Sequence, residues 1–583
     1  MFCSDVFPKG VDTPQFGFPR HRNAKPCVFQ IGIKIQQIGA LGKKQDPACG
    51  SGHILVYAFE LLFHMYEERG YREREIPELI LTKNLVGMEI DSRAAQIAEL
   101  TLAMCAREHD RRFFRRGVRA DVTVLSSIPL GEDELPGNKK LAEELSHLGE
   151  IGSLLNPSED EIDELKAAAA SCSEDLFASA TKTKLESAAA ICEKLSRRFT
   201  CTVANPPYMG SSSFNPFMSK WIKKNYPDVK SDLCTCFIER GFNLVEDKGY
   251  AAMVTMQSWM FLGSFEKMRA KVIDNKTIVS MAHLGPRAFD AIGGEVVNVT
   301  ADVIYNQHSD AEGTYVRLVD INGSEAKGLK LVEAIQNPDC GWFYRRNADT
   351  FKQVPGTPIA YWASDGLLSA MADGVKLSSF GRTSKGIITG KNDKFIRLWW
   401  ECAVGTIGFS SSSVSDLFSG RKWHPCTKGG SYRKWFGNLD SVIDWSNNGH
   451  SVFESASREG NHAQDYSDEL KFKPAISWSA ITSSIPSFRY ASNCLSEHAG
   501  MCLFVPEDKI GYMLSLLNSS VSKEYFSLIA PTLNVNAGDV DKFPVLLSCF
   551  NLVDGLFKES RGLSKTDWDS FETSWDFKRH PLV

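Results

Sequence analysis

The sequence predicts an α/β protein: a Rossmann-like, doubly wound domain followed by a mixed α+β region. Three observations predict it. Short apolar runs alternate with helical periodicities from Gln45 to about residue 305, the pattern of parallel strands joined by crossover helices. Two of those runs end in loops of unusual composition, Asp46-Pro-Ala-Cys-Gly-Ser-Gly52 and Asn205-Pro-Pro-Tyr208. Beyond about residue 310 the texture changes to short pieces rich in Trp, Phe, Tyr, Gly and Ser.

The elements follow in order. Residues 1–44 are rich in Gly, Pro and Lys and stay unassigned, with one candidate strand at 28–35. Residues 41–45 carry lysines where a core strand needs apolar side chains, so this strand reads as broken. Residues 54–69 form an amphipathic helix, with Leu55, Ala58, Phe59, Leu62 and Met65 on one stripe. A buried strand at 85–90 ends in Glu89 and Ile90, and Asp91 caps a helix running to about residue 111. A short strand is expected at 121–128, and the charged, Ala-rich stretch 130–195 reads as a helical insert. Then come the strand 199–204, a helix 232–246, a strand 250–255, a helix near 264–272 and a strand 278–284. The alternating Val and Thr of 295–305 suit a returning strand. The first domain is thus set at 45–310 and the second at 311–583.

Composition excludes several classes. The chain has 583 residues, too many for one core. Its 43% hydrophobic and 23% charged content is that of a globular protein, without a run of membrane-spanning length or a secretory signal. The 15 cysteines show no zinc spacing, which implies reduced thiols in a cytoplasmic protein and no metal site. A formal charge of −5 means that a nucleic-acid partner needs a local basic surface.

The first loop joins a strand end to a helix start. Its glycines admit a ligand close to the backbone, and its spacing fits neither a dinucleotide nor a phosphate loop. The acid Asp46 favours a ligand bearing an amino group. Glu89, at the end of the next strand, can accept from the hydroxyls of a ribose. An amino group and an adenosine ribose together describe S-adenosylmethionine, with Asp46, Ala48, Gly50, Gly52, Glu89 and Ile90 as candidate cofactor residues. Taken alone, the loop could equally be a tight turn. In the second loop, proline removes a backbone donor, so the Asn205 side-chain oxygen and the Pro206 carbonyl form a pair of acceptors beside Tyr208. That pair can hold the two hydrogens of an exocyclic amine while its lone pair meets a sulfonium methyl. Alignment and fixed dipoles would then supply the rate, without a general base. Asn205, Pro206, Pro207 and Tyr208 are the catalytic candidates.

These motifs, in this order, resemble those of amino-type DNA adenine methyltransferases. Gly52-His-Ile-Leu-Val-Tyr-Ala-Phe59, Asp91-Ser-Arg-Ala-Ala-Gln96 and Met256-Gln-Ser-Trp-Met260 are similar to the PglX branch, the methyltransferases of BREX phage-defence systems. So are Lys428-Gly-Gly430, Trp478-Ser-Ala480 and Trp575-Asp-Phe-Lys-Arg-His-Pro581. The resemblance runs from about residue 45 to the C-terminus. It implies methylation of the adenine amine in duplex DNA after base flipping, with 45–310 as the methyltransferase domain and 311–583 as the target-recognition region. Phe289 matches the aromatic that sandwiches the flipped base opposite Tyr208, or else packs in the core. Other phage-defence proteins are implied as partners. Members of the family extend further at both ends, so the chain reads as a core fragment or a rearranged gene product. The motif after the third strand is Ser126-Ser127, where the family often has an acid.

Between Gly381 and Asn438, ten basic residues face three acids, with five Trp and Tyr interleaved. Arg382, Lys391, Lys394, Lys422, Arg433 and Lys434 are the candidate DNA contacts. The alternatives are a catalytically silent DNA-binding or assembly fragment, and an enzyme acting on an RNA adenine or a protein amide.

Overall fold

The computed structural model describes residues 42–583, apart from 132–133, 136, 173–175, 290–296, 483–484, 530–533, 548–549, 581 and 583. The candidate strand at 28–35 lies outside the described residues. The chain divides into two compact units, one ending at Lys352 and the other beginning at Gln353.

The first unit is built on nine strands: β1 Lys44–Asp46, β2 Leu85–Glu89, β3 Asp121–Val124, β4 Phe199–Ala204, β5 Val245–Met256, β6 Thr277–Gly285, β7 Val299–Tyr305, β8 Gly313–Arg317 and β9 Phe343–Arg346. They hydrogen-bond in the order β3-β2-β1-β4-β5-β7-β6-β8-β9. The first five in this order run parallel. β7 returns antiparallel between β5 and β6, so β6 again points the same way as β5. The carboxyl ends of β1, β2, β4, β5 and β6 therefore share one edge.

Helices cover both faces. Register places Gln45, Val86, Thr202 and Ala251 on one face and Gly87 on the other. A Cβ at Gly87 would meet Leu55 of the helix His53–Glu68 at 2.9 Å. A Cβ at Gly241, in the helix Leu233–Leu244, would meet Met253 at 2.5 Å on the opposite face. Small residues here let helix and sheet approach closely. Leu55, Phe59, Leu62 and Phe63 pack with Ala98 and Leu102 of the helix Ser92–His109 in one buried cluster.

Two expectations need correction. The strand judged broken by its lysines does form, at the centre of the sheet, because the ladders from β2 and β4 support it on both sides. It is three residues long, and burial lowers the pKa of Lys44, whose ammonium donates to the Gly42 carbonyl at 3.2 Å. The first unit also runs past residue 310. β8 pairs parallel to β6, and β9 pairs antiparallel to β8, which carries the boundary to Lys352.

The second unit is mixed α+β. One four-stranded sheet holds Arg382–Ser384, Cys502–Phe504, Ala475–Trp478 and Phe488–Ala491, and another holds Ile396–Leu398, Ser441–Asp444, Trp423–Thr427 and Leu495–Ser496. The helices Asp365–Asp373, Glu507–Leu517 and Ser520–Ile529 supply its main core, which includes Trp478, Phe488, Tyr525, Phe526 and Phe543.

Candidate active site at the carboxyl edge of the sheet

The two loops singled out in the sequence emerge side by side. β1 and β4 are adjacent and parallel, with Gln45 opposite Thr202, so Asp46 and Asn205 leave neighbouring strands in the same direction. Adjacent strands lie roughly 4.8 Å apart.

Asp46 is 1% exposed. Its Oδ1 accepts from the Ala48 N–H at 3.1 Å, and its buried Oδ2 has no partner among the described residues. Burial pushes this carboxyl up to about 7, against the Ala48 hydrogen bond and with help from the nearby charge of Glu89. Gly50 and Gly52 take positive φ, 52° and 87°. At Gly52, which precedes the helix His53–Glu68, a Cβ would also meet Ala98 at 2.8 Å. Beyond Gly50 the space where a Cβ would stand is open to 4 Å.

Glu89 reaches across to this loop. Its carboxylate accepts from the N–H of Gly50 at 2.7 Å and from those of Ile90 and Asp91 at 3.0 Å each. A carboxylate offers about four acceptor positions, so hydroxyls of a bound ribose would share Glu89 with backbone donors. Ile90 is 48% exposed, beside Gly152.

In the second loop Asn205 is half-buried, Pro206 buried and Pro207 exposed. The Tyr208 hydroxyl lies within donating distance of Asn205 Oδ1, at 3.1 Å, and of the Val254 carbonyl on β5, at 3.2 Å. Phe289 is 5% exposed and belongs to a cluster with Leu284 and Val299, against which Tyr208 packs. Both aromatics of the expected sandwich thus border one apolar cluster.

The insert supplies contacts that sequence reasoning missed. Its buried turn Gly152–Leu154 lies against the first loop, where Ser153 Oγ donates to the Pro47 carbonyl at 2.6 Å. Arg240, fully buried, donates to the Ser153 carbonyl at 2.8 Å, to Asn156 Oδ1 at 2.6 Å and to the Leu195 carbonyl at 2.6 Å. The Tyr226 hydroxyl donates to the Leu154 carbonyl at 2.6 Å. On the side of the second loop, Trp221 Nε1 donates to Glu144 at 2.9 Å, and Phe217 stacks on His147 at 3.7 Å. No local motif announces a turn that acts on residues about a hundred positions earlier.

The six candidate DNA contacts of the second unit differ in their freedom. Lys391 pairs with Glu459, and Lys394 donates to Ser455 Oγ at 3.0 Å. Lys422 lies 3.7 Å from Asp444, and Arg433 2.7 Å from Asp567 and over the Trp568 ring. Lys434 donates to the Asn518 carbonyl at 2.7 Å. Arg382 is exposed on the edge strand Arg382–Ser384.

Residues 83–289 match the family Eco57I restriction-modification methylase. This span includes β2 and β4 with the second loop, and it begins after the first loop. The chain is 36% identical over 591 aligned residues to the adenine-specific methyltransferase BrxX of Escherichia coli O9:H4 (strain HS), covering 93% of this chain and 47% of that protein. It is 34% identical over 564 residues to the adenine-specific methyltransferase PglX of Lacticaseibacillus casei (strain Zhang), covering 92% of this chain and 47% of that protein. The chain therefore spans about half the length of these curated relatives. In fold it is similar to the Type IIL restriction-modification enzyme MmeI, solved in complex with DNA, at TM-score 0.54 and 12% identity over 95% of this chain and 69% of that one. It is similarly close to a nuclease-deletion mutant of the Type ISP restriction-modification enzyme LlaGI, with TM-score 0.54 and 13% identity over 92% of this chain and 45% of that one. By sequence, the chain is similar to the adenine-specific methyltransferases BrxX and PglX, and its residues 83–289 match the Eco57I restriction-modification methylase family.

Proposed function

We propose that this chain transfers a methyl group from S-adenosylmethionine to the exocyclic amine of an adenine flipped out of duplex DNA, in a phage-defence system of the BREX or restriction-modification kind. The observation that carries the reading is the common edge: an acid-bearing glycine loop and the Asn205 loop leave adjacent parallel strands together. The residues of the first loop suit the cofactor. The unpartnered, buried Asp46 Oδ2 can accept from an ammonium group, Glu89 from a ribose hydroxyl, and the open space beyond Gly50 admits the ligand. When bound, S-adenosylmethionine supplies an electrophilic methyl group on sulfur.

This chain's residues do the rest by holding and orienting. Asn205 Oδ1 and the Pro206 carbonyl accept the two amine hydrogens, which draws nitrogen from planar toward tetrahedral and frees its lone pair. The Tyr208 hydroxyl, already beside Asn205 Oδ1, steadies the amide, and its ring together with Phe289 offers the base apolar faces. Stacking of this kind is worth roughly 1–3 kcal/mol per base. The basic, aromatic surface of the second unit supports duplex DNA as the substrate. Asn205→Ala is expected to lower methyl transfer roughly a hundredfold or more while leaving the thermal midpoint unchanged. Long-read mapping of methylated adenines in a host expressing each version checks it, and equal modification by both would reject the mechanism. Competition among duplex DNA, RNA and protein acceptors distinguishes the other substrates.

A further inference from the structure

The turn Gln257–Met260 at the end of β5 has no role in the mechanism above, yet it is firmly held. Trp259 is fully buried, and its Nε1 donates to Thr255 Oγ1 at 3.2 Å. The buried Arg269 donates to the carbonyls of Trp259 and Leu262 at 2.8 and 2.7 Å. The Gln257 N–H donates to the Asn298 carbonyl at 2.9 Å.

From this anchored start the Gln257 side chain reaches over β7 to β6, where its Oε1 lies 2.7 Å from Nε2 of His283. An amide oxygen only accepts, so His283 must carry its proton on Nε2. His283 is 4% exposed, and burial, with Arg317 and Lys327 nearby, pushes it down to about 3. The ring is neutral, and its donor is permanently directed at Gln257. The oxygen end of this amide is therefore committed. Its Nε2 has no acceptor among the described residues, on a side chain that is only half-buried.

The place matters as much as the chemistry. Ala204 pairs with Met253, so Asn205 and Gln257 leave neighbouring strands at the same edge, and the Tyr208 hydroxyl touches Val254 three positions before Gln257. His283 is followed by Leu284, which shares its cluster with Phe289 and Tyr208. A base whose amine is held by Asn205 has a ring nitrogen acceptor beside that amine.

We propose that Gln257 is a specificity-determining residue that donates its free amide N–H to the ring nitrogen next to the target amine, with His283 as the positioning residue that fixes the amide's orientation. The pair selects bases whose Watson–Crick-edge ring nitrogen is an acceptor, N1 of adenine or N3 of cytosine, and rejects guanine and thymine, whose N1 and N3 carry a proton. This rests on the reading under Proposed function.

The test uses the full chain and a duplex containing the adenine it methylates, replaced by 1-deazaadenine or 7-deazaadenine. The expected result is about a tenfold loss of methylation rate with 1-deazaadenine, the effect of one lost hydrogen bond, and little loss with 7-deazaadenine. Gln257→Leu should lower the rate on adenine by a similar factor and treat adenine and 1-deazaadenine alike. His283→Leu should blunt the discrimination, and His283→Asn, which keeps a donor, should restore part of it. Equal sensitivity of the wild type and Gln257→Leu to 1-deazaadenine would overturn the proposal. If the chain methylates no adenine at all, the reading of its function fails separately. Calorimetric binding of free adenosine and 1-deazaadenosine then decides the role of Gln257, and equal affinity of the wild type for both nucleosides refutes it.

Discussion

Asp46 has the most informative chemistry of any single residue here. Its carboxyl is pushed up to about 7 by burial, so its charge is lost as pH falls through that value. The charged form is the one that pairs with an ammonium group. Affinity for S-adenosylmethionine is therefore expected to weaken about tenfold from about pH 8 to about pH 6, and calorimetric titration of Asp46→Asn should give weak affinity with no such slope. Asp302 shows the same physics away from the site. It lies on β7 between Met253 and Met281, is 3% exposed, and burial raises it to about 8. The folded state then holds a proton that the unfolded chain releases near its ordinary value of 3.8, so stability falls as pH rises between those two values. Asp302→Asn should flatten this fall, seen as a thermal midpoint higher than the wild type's at about pH 8 and closer to it at about pH 5.

Among the elements, the helical insert ties the site together. Its turn Gly152–Leu154 is held by Arg240 and Tyr226 and in turn holds Pro47. Arg240→Leu would leave the carbonyls of Ser153 and Leu195 and the Asn156 amide without their donor. A loss of about 2–4 kcal/mol in stability is expected from those orphaned acceptors, with weaker cofactor binding, measured by urea denaturation and calorimetry. Most strands and helices from His53 to Tyr305 were legible because apolar periodicity encodes them, although the helix Pro216–Asn225 was not read, and the cap at Asp91 is present, accepting from Arg93 at 2.8 Å. β8 had a readable alternation in Gly313-Thr-Tyr-Val-Arg317, whereas β9, Phe-Tyr-Arg-Arg, had no apolar run to find. β1 was misjudged because two neighbours can support a strand whose own residues argue against it. The pairing of Gln257 with His283 joins residues 26 positions apart through a fold-dependent contact, which no local spacing reveals.

At the scale of the molecule, an overall charge of −5 makes any duplex binding depend on a few cations. Arg382 is exposed, whereas Lys434 is tied to a carbonyl within its own unit. Arg382→Ala should weaken duplex affinity and lower the slope of log affinity against log salt by about one. Lys434→Ala should leave that slope unchanged and reduce the thermal midpoint. Fluorescence anisotropy across a salt series and a melting curve separate the two. The sheet also divides its rims: the carboxyl ends of its parallel strands meet at the rim that bears Asp46, Glu89, Asn205 and Gln257, while the far rim bears none of them. On that far rim β5 begins with the exposed run Glu246-Asp-Lys248, where Lys248 already adopts a left-handed backbone. A fluorophore or affinity handle grafted there stands a full strand length from the chemistry, which makes this corner a natural attachment point for watching single molecules at work without silencing them.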